Sequence, residues 1–577
     1  NSSDKERFIA AINARWDMTD FLYVRGRVGG DRYTVSKQNS TPWGTAYQPK
    51  GSMAESEDTY RQYDADMFIG TDNLQIVDGV SLTAFVGMGT NNQKYEAYRV
   101  SGSDFIVPFL INVGNTKNQG HGYNIWEKQI NSAYGSAELG FEDWAYLTVT
   151  ARNDWFSTLS MKDKVAPNND LYTSASVSLV VSDALDLGET ISFLKLRGGV
   201  SQVAGGANNP YALSLSYGIY GQGHLGASLG NISGGTIPNS EITPFEKNET
   251  EFGMDLRLFD NKLSIDATFY DNETLGDIVG VSASATSGYG SALANLGNIS
   301  NKGIELLIKG TLIQTEDFAW NASINYTNNT SKVVATNDAA GNISMAEPRS
   351  RNIRVTHIVG EKYGALYGSS FVRDASGSIV HEMVNGIPIP KVGGRKILGF
   401  GVAPTQLGIG TSFRYKDFNG SLLFEGKSGG QVYSGTNAYL KRNGHHKITV
   451  PAGGREAGFV PTGVMADGST ITASIPANLQ EDYWRRSYLI AEQDVVDADY
   501  MRLRSLSIGY NIPSDKLEGT FISKASISLI GRNLFFLSNS VDNLDPESAY
   551  NAGNSAGLEY FALPVPRTIG LNVNLKF

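Results

Sequence analysis

Acidic side chains recur near the end of the chain, in the stretch DNLDPE that begins at Asp542. Asp542, Asp545 and Glu547 carry oxygen atoms of the kind that Ca²⁺ prefers, and a turn could gather them around one ion. Acidic residues are also common in turns that bind no metal. The stretch predicts a candidate calcium site, with an ordinary acidic turn as the alternative, and we expect no other cofactor.

Other catalytic or cofactor motifs are weak. GQGHLG, residues 221–226, matches the glycine pattern of a dinucleotide site, but it lies in a Gly/Ser/Tyr-rich stretch without helical periodicity, so we expect a loop. The six histidines lack zinc-ligand spacing, apart from the adjacent pair His445 and His446, and are expected in surface loops. Cysteine is absent, and no Ser/His/Asp arrangement stands out. We therefore predict that the chain is not an enzyme.

Aromatic residues in the long polar stretches are better candidates for binding. A flat ring with a polar edge can stack on a sugar or pack against a peptide, and it can equally pack within a loop or a protein interface. The candidates are Tyr217, Tyr220, Tyr367, Tyr433, Tyr439, Trp484 and Tyr550.

Composition excludes two classes of protein. The formal net charge is −10 and there is no basic run to follow phosphates, so nucleic acid is not an expected partner. No run of 18 apolar residues is present, which excludes a helical membrane span. A transmembrane β-barrel passes both tests, because its apolar residues occupy alternate positions.

Strict alternation of apolar and polar residues is the main structural signal. In DFAWNASINYT, Phe318, Trp320 and Ile324 share one face, while Asn321 and Asn325 share the other. The same pattern predicts about seventeen strands, joined alternately by short turns and long loops. The predicted strands cover 5–17, 20–32, 60–71, 78–92, 128–141, 143–156, 170–182, 191–204, 246–259, 262–274, 300–314, 317–332, 403–415, 417–430, 498–511, 521–536 and 565–577.

This pattern predicts an all-β fold, a transmembrane antiparallel β-barrel with short periplasmic turns and long extracellular loops. A soluble β-sandwich also alternates, but its polar face would carry fewer small residues. The polar positions predicted to face the lumen, where they would line a route or hold a plug, are Asp255, Arg257, Asp266, Glu305, Lys309 and Arg532. An odd strand number does not close a single-chain bacterial barrel, so we expect a part of a larger one.

Several stretches resemble the SusC/RagA-type TonB-dependent outer-membrane transporters. DADYMRLRSLSIGYNIP (497–513), SISLIGRNLFFLS (526–538), DNLDPESAYN (542–551) and LPVPRTIGLNVNLKF (563–577) resemble successive family motifs. NLGNISNKGIELLI (295–308) and ISFLKLRGGVSQVAG (191–205) resemble two earlier ones. The matches follow the family order, whereas the loops 205–245 and 333–402 resemble nothing we can place.

The resemblance implies a 22-stranded, plugged barrel, of which residues 1–577 are the C-terminal portion, with the N-terminal extension, the plug and about five strands lying outside it. It implies TonB-dependent import of oligosaccharides or oligopeptides across the bacterial outer membrane. The implied partners are a SusD-like surface lipoprotein that covers the barrel, TonB acting through the N-terminal part, the plug with the first barrel strands, and outer-membrane lipid. A passive porin or structural barrel is the alternative.

Overall fold

One antiparallel sheet of seventeen strands dominates the part of the chain that the structure describes. The structure is a computed structural model that describes residues 1–161, 166–214, 216–219, 224–233, 235–282, 285–287, 289–336, 342–548, 550–551 and 553–577. The strands of the sheet are β1 (Ser2–Asp17), β2 (Tyr23–Thr41), β3 (Ser52–Val77), β4 (Val80–Phe105), β5 (Thr116–Phe141), β6 (Ala145–Phe156), β7 (Asn169–Val180), β8 (Ile191–Gly205), β9 (Phe245–Leu258), β10 (Leu263–Leu275), β11 (Asn298–Gln314), β12 (Phe318–Ala335), β13 (Thr405–Tyr415), β14 (Phe418–Ser428), β15 (Tyr500–Ile512), β16 (Lys524–Asn539) and β17 (Thr568–Lys576).

The strand pairing follows chain order. From β1 to β7, and again from β11 to β17, each strand pairs antiparallel with the next one. Strand β8 pairs with β9. All seventeen predicted strands are present, so the all-β antiparallel prediction is confirmed, although several strands extend well beyond their predicted ends.

The two faces of the sheet differ in polarity because side chains alternate along each strand. Ile308, Ile324 and Ile409 stand opposite one another on β11, β12 and β13. On β3 and β4, Met67 opposes Met88, and these two side chains are 60% and 68% exposed. Large apolar side chains therefore cover one face without a protein layer above them, as expected of a lipid-facing surface.

Strands β3, β4 and β5 are each 26 residues long. About ten residues suffice to cross the hydrocarbon at a tilt, so these strands continue far beyond it. Asp78 and Gly79 alone join β3 to β4, and Gly79 has a φ of +76°, a backbone conformation that glycine adopts without steric strain. The short turns lie at one end of the strands, and the long connections at the other.

The long connections contain structure of their own. The small strands are Ser216–Ile219, Gly230–Ser233, Thr236–Ile237, Ile278–Ser282, Ser291–Asn295, Asn342–Ala346, Ile353–Ile358, Ala365–Phe371, Val380–Val384, Ile387–Pro390, Val392–Phe400, Gln431–Ser434, Val464–Met465, Val495–Asp497 and Leu558–Glu559. The α-helices are α1 (Val181–Ala184), which follows β7 at the short-turn end, and α2 (Gly435–Arg442) and α3 (Gln480–Ser487), which both lie in long connections. Within the described residues, no helix is long and apolar enough to cross a bilayer.

The chain divides into two compact units. The first comprises Asn1–Asp183, Arg197–Thr250 and Thr274–Leu296, and its buried apolar cluster includes Phe156, Leu159, Leu213 and Ile242. The second comprises Ala184–Leu196, Glu251–Glu273 and Gly297–Phe577, with two buried clusters. In each unit the buried apolar core therefore depends on the connections more than on the sheet.

The polarity of the sheet faces generates a test. Replacing Ile324 with arginine puts a charge on the apolar face of β12, at a cost of about 2–4 kcal/mol if the residue lies near the bilayer midplane. Asn325→Arg places the same charge on the opposite face of the same strand, where we expect a smaller loss. Urea unfolding in lipid vesicles measures both variants, and equal losses would contradict the assignment of the two faces.

Candidate functional site

Three long connections of the second unit fold together into what we call the loop assembly, made of the described residues between 342 and 404, 429 and 499, and 540 and 567. A four-stranded sheet lies within the first connection. A second sheet joins the first connection to the second through Val380–Val384 and Val464–Met465. A third joins the second connection to the third through Gln431–Ser434 and Leu558–Glu559. The second connection therefore adds a strand to a sheet of the first, and the third adds a strand to a sheet of the second.

The core of the loop assembly also combines all three connections. Tyr433, from the second connection, is fully buried in one cluster with Ile353 and Leu366 from the first connection and Leu558 from the third. The Tyr433 hydroxyl lies 3.4 Å from acceptors on Ser350 and Asn352. No single connection could bury this tyrosine alone, so the three must fold as one body.

A buried carboxylate docks the third connection onto helix α2. Glu559 is fully buried and accepts hydrogen bonds from the Thr436 hydroxyl at 2.6 Å and from the backbone N–H groups of Thr436 and Ala562. Ser434 caps the same helix by accepting from the N–H of Asn437 at 3.0 Å. The first turn of a helix attracts negative charge, because its N–H groups lack partners within the helix.

Two arginines on β15 hold the stretch that carried the calcium prediction. Arg502 is buried and donates to Asp545 at 2.6 Å and to Glu547 at 2.7 Å. Arg504 donates to Glu547 at 2.6 Å and to Glu425 on β14 at 2.8 Å. These five side chains, which we call the arginine clamp, fasten the third connection to the sheet.

Glu547 lies at the centre of the arginine clamp. Burial alone would raise its pKa, but hydrogen bonds from Arg504 and from the Tyr500 hydroxyl, together with the charges of both arginines, lower the pKa below its ordinary value. The carboxylate is therefore held in its charged form at neutral pH.

The three carboxylates of the calcium prediction do not converge on one point. Asp545 and Glu547 face the arginines, and Asp542 pairs with exposed Lys447 at 2.6 Å. In the described part of the chain, no group of three acidic or histidine side chains is arranged to hold a metal. A calcium ion stays a prediction, and its ligands would have to leave their cationic partners.

The predicted aromatic residues fall into separate groups. Tyr439 forms edge-to-face contacts with Tyr488, Tyr560 and Phe561 at centroid distances of 5.5, 5.7 and 5.1 Å. Tyr550 joins this group through Tyr560. The structure therefore brings Tyr439 and Tyr550 together, whereas Tyr433 is enclosed in the core and packs there.

The other predicted aromatic residues lie apart from that group. Trp484 stacks on Phe459 at 5.9 Å, and its indole N–H is buried without an acceptor among the described residues. Tyr367 is half-buried on strand Ala365–Phe371, opposite Arg354. Tyr217 belongs to strand Ser216–Ile219, and Tyr220 lies outside the described residues, as do positions 221–223 of GQGHLG.

The predicted lumen-facing residues form no single site. Asp255 and Arg257 pair at 3.2 Å on β9, and the Arg257 guanidinium lies 4.6 Å from the centroid of the Phe193 ring. Glu305 and Lys309 are exposed on one face of β11, Asp266 is half-buried on β10, and Arg532 is exposed on β16. They are distributed along the polar surface of the sheet.

The expectation that the histidines lie on the surface was wrong for three of them. His357, His381 and His446 are 8%, 1% and 8% exposed. The loop assembly has its own core, so a residue in a long connection is not necessarily exposed. Burial lowers the pKa of His381, which favours its neutral form at physiological pH.

Sequence reasoning missed the arginine clamp, although the sequence carries a signal for it. Arg502 and Arg504 are two residues apart on a strand, and Asp545 and Glu547 are two residues apart in a loop. Matched spacing of opposite charges indicates a paired arrangement, and here it favours arginine partners over a metal.

A sequence profile described as "TonB dependent receptor-like, beta-barrel" matches residues 1–534. The chain belongs to this family. The resemblance to the SusC/RagA type is confirmed, and membership of this receptor family places the chain in the bacterial outer membrane.

Curated relatives agree with this assignment. TonB-dependent receptor P3 of Formosa agariphila is 25% identical over 490 residues, which cover 78% of this chain and 46% of the relative. TonB-dependent receptor P39 of the same organism is 22% identical over 627 residues, covering 97% and 59%. The chain thus spans about half the length of the curated relatives it matches.

Solved structures show the same fold. The RagAB peptide transporter has a TM-score of 0.76 at 16% identity, with 100% of this chain and 62% of that chain covered. The RagAB peptide importer in its closed-closed state has a TM-score of 0.78 at 17% identity, with the same coverage. At these identities, the likeness establishes a TonB-dependent receptor barrel fold.

The arginine clamp generates a stability prediction. Arg502→Met leaves Asp545 buried without its cation, so we expect opening of residues 540–567 to become easier by about 3–5 kcal/mol. Hydrogen–deuterium exchange should show faster exchange of their amides. Lys447→Met removes the exposed pair with Asp542, whose charges are screened by water, and should leave exchange unchanged. Equal effects of the two variants would contradict the clamp.

A pH prediction follows from Glu547. Because the folded state lowers the pKa of this carboxyl, its contribution is complete above the unfolded-state pKa of about 4.3 and is lost as the pH falls through the folded-state pKa. Exchange of residues 540–567, corrected for intrinsic rates, should be constant between about pH 7 and pH 5 and should rise below about pH 4. Glu547→Gln should weaken this pH dependence, and an unchanged profile in the variant would argue against Glu547 as its source.

Proposed function

We propose that the protein imports oligosaccharides or oligopeptides across the outer membrane by TonB-dependent active transport, with a SusD-like lipoprotein as its lid. The observation that carries the proposal is the family match over residues 1–534, on a sheet with one lipid-facing and one polar face. RagAB, whose solved structures share this fold, is a peptide transporter, which supports a bulky substrate. In this proposal the chain binds and admits its cargo without changing it covalently.

The loop assembly supports a gating role for the long connections. Three connections share one core and are fastened to the sheet by the arginine clamp, so they are built to keep a defined shape. A loop assembly of fixed shape can contact a lid and a substrate without first becoming ordered. Unstructured loops would lose conformational entropy on each binding event.

An exposed apolar loop is the observation that favours a lid partner. The connection between β4 and β5 carries five large apolar side chains that are 46–79% exposed, at positions Ile106, Val107, Phe109, Leu110 and Ile111. It lies at the long-connection end, opposite the Asp78-Gly79 turn. Exposed apolar patches commonly mark protein–protein contacts, so we assign this loop to the lipoprotein.

Uptake by intact cells tests the function. Cells that produce the protein should deplete an oligosaccharide mixture or a peptide mixture from the medium, as measured by mass spectrometry. A proton uncoupler or loss of TonB should stop this depletion, because the energy comes from the inner membrane. Depletion that continues without the proton gradient would indicate a passive porin.

The lid is tested in the same cells with Phe109→Asp. We expect this variant to lose the co-purifying lipoprotein, because a charge in an apolar contact is costly to desolvate. Tyr47→Asp, at another exposed position in a long connection of the same unit, is the control. If the lipoprotein co-purifies equally with both variants, residues 106–111 are not its docking loop.

A further inference from the structure

Four aromatic side chains, far apart in the sequence, form a continuous row on the polar face of β2 to β5. Strand register places Tyr33 opposite Tyr60, Tyr60 opposite Tyr95, and Tyr95 opposite Trp126. We call these four side chains the aromatic row. The row extends over three strand spacings, or about 14 Å.

The opposite face of the same strands shows where the row lies relative to the bilayer. Next to the row, Arg32 opposes Arg61, Arg61 opposes Lys94, and Lys94 opposes Glu127. These side chains alternate with the row, so they belong to the lipid-facing side of the strands. Such a concentration of charge does not suit hydrocarbon, which places this level of the sheet in water, beyond the apolar band that contains Met67.

The rings form two stacked pairs. Tyr33 stacks on Tyr60 with centroids 5.0 Å apart, and Tyr95 stacks on Trp126 at 5.4 Å. Tyr60 and Trp126 then meet at 62° and 6.2 Å, which joins the two pairs. All four residues are half-buried, so each leaves part of its surface uncovered.

Polar groups at both ends of the row are unused. Among the described residues, neither the Tyr33 hydroxyl nor the Trp126 indole N–H has a hydrogen-bond partner, whereas the Tyr60 hydroxyl donates to Gln62 at 2.9 Å. Cross-strand pairing of rings stabilises a sheet without any hydroxyl or N–H group, so phenylalanine would serve that purpose equally well. The free donors therefore offer contacts to a ligand.

A lysine lies at each end of the row. The Lys5 ammonium is 4.1 Å from the centroid of Tyr33, and the Lys128 ammonium is 5.9 Å from the centroid of Trp126. Among the described residues, neither lysine forms an ion pair, whereas nearby Lys37 pairs with Asp58 at 2.6 Å. The carboxylates Asp31 and Asp58, each two residues from a ring of the row and on the same face, are paired with Arg7 and Lys37. Lys5 and Lys128 therefore favour an anionic ligand.

Amide side chains border the row on the side of the short turns. Gln62 opposes Gln93, and their amide groups donate to Asp64 and Asn91. An amide group can donate and accept, as a sugar hydroxyl can. At this level β2, β3 and β4 pair on both sides, so a peptide could not add as a strand between them. Strand β5 pairs with β6 only from Ile130 onward, and on its open edge the N–H groups of Glu127 and Gln129 donate to the hydroxyl groups of Tyr211 and Ser157.

We propose that the aromatic row binds an acidic oligosaccharide. Sugar rings would pack on the uncovered ring surfaces, and hydroxyl groups would accept from Tyr33 and Trp126. Carboxylate or sulfate groups would pair with Lys5 and Lys128. The inference deepens the proposed function and rests on it for the transport of the bound sugar, while binding itself can be measured without transport.

Calorimetry on the intact protein in detergent tests the binding. The probes are hexamers of galacturonate and mannuronate, a sulfated galactose hexamer, a neutral galactose hexamer and an acidic hexapeptide. We expect at least one acidic sugar to bind about tenfold or more tightly than the neutral one, with affinity falling as salt rises.

Matched variants locate the site. Lys5→Gln combined with Lys128→Gln should weaken acidic-sugar binding about tenfold and remove its salt dependence. Trp126→Ala should abolish binding, and Tyr33→Phe, which keeps the ring, should weaken it. Tyr63→Ala and Arg32→Gln change the opposite face of the same strands and should bind as the wild type does. Heat-dependent electrophoretic mobility confirms that each variant is folded.

Several results would overturn the inference. These are no binding of any acidic sugar, equal binding of the neutral sugar, preference for the acidic peptide, or variants of the row that bind normally. If uptake by cells still requires the proton gradient in any of these cases, the proposed function stands and only the row is wrong. If the acidic sugar binds tightly but uptake continues without the proton gradient, the row stands as a binding site and the proposed TonB-dependent function is wrong.

Discussion

Backbone N–H and C=O groups in hydrocarbon have no water to bond with, and the whole architecture depends on this constraint. The chain meets it by strand pairing in the seventeen-stranded sheet. Pairing uses the backbone and leaves alternate side chains on two faces. One face can then be apolar, as at Ile308, Ile324 and Ile409, while the other carries Arg257 and Lys309.

A sheet of this kind does not depend on a buried core of its own. The most buried apolar side chains lie in the connections instead. Tyr433 and Leu558 are enclosed by the connections, not by the strands. Such a loop assembly has to be held at the sheet by specific contacts. The arginine clamp does this through charged groups, which are costly to bury unless every partner is present. It therefore favours one position of the third connection over others, a role in specificity that we offer as a hypothesis.

Period-two alternation explains why the sheet could be predicted and the loop assembly could not. Each strand of the sheet carries its signal within about ten residues, as Phe318 to Tyr326 do. The small strands Gln431–Ser434 and Leu558–Glu559 pair across a long stretch of chain and have no local signal. Tyr433 looked like an exposed loop residue for the same reason. Likewise, Asp545 and Glu547 looked like metal ligands because their arginine partners lie on another element.

The same limit applies to the search for a binding site. Aromatic residues in loops are natural candidates for binding because loops carry function in many proteins, yet several of them here pack inside the loop assembly. No local signal marks the four residues of the aromatic row, because in the sequence each is an ordinary polar-face residue of its own strand. Only the register of four strands reveals that they are neighbours. Strands that continue beyond the hydrocarbon keep their rigid pairing but face water, and so they can hold rings and charges in fixed positions more firmly than a loop can.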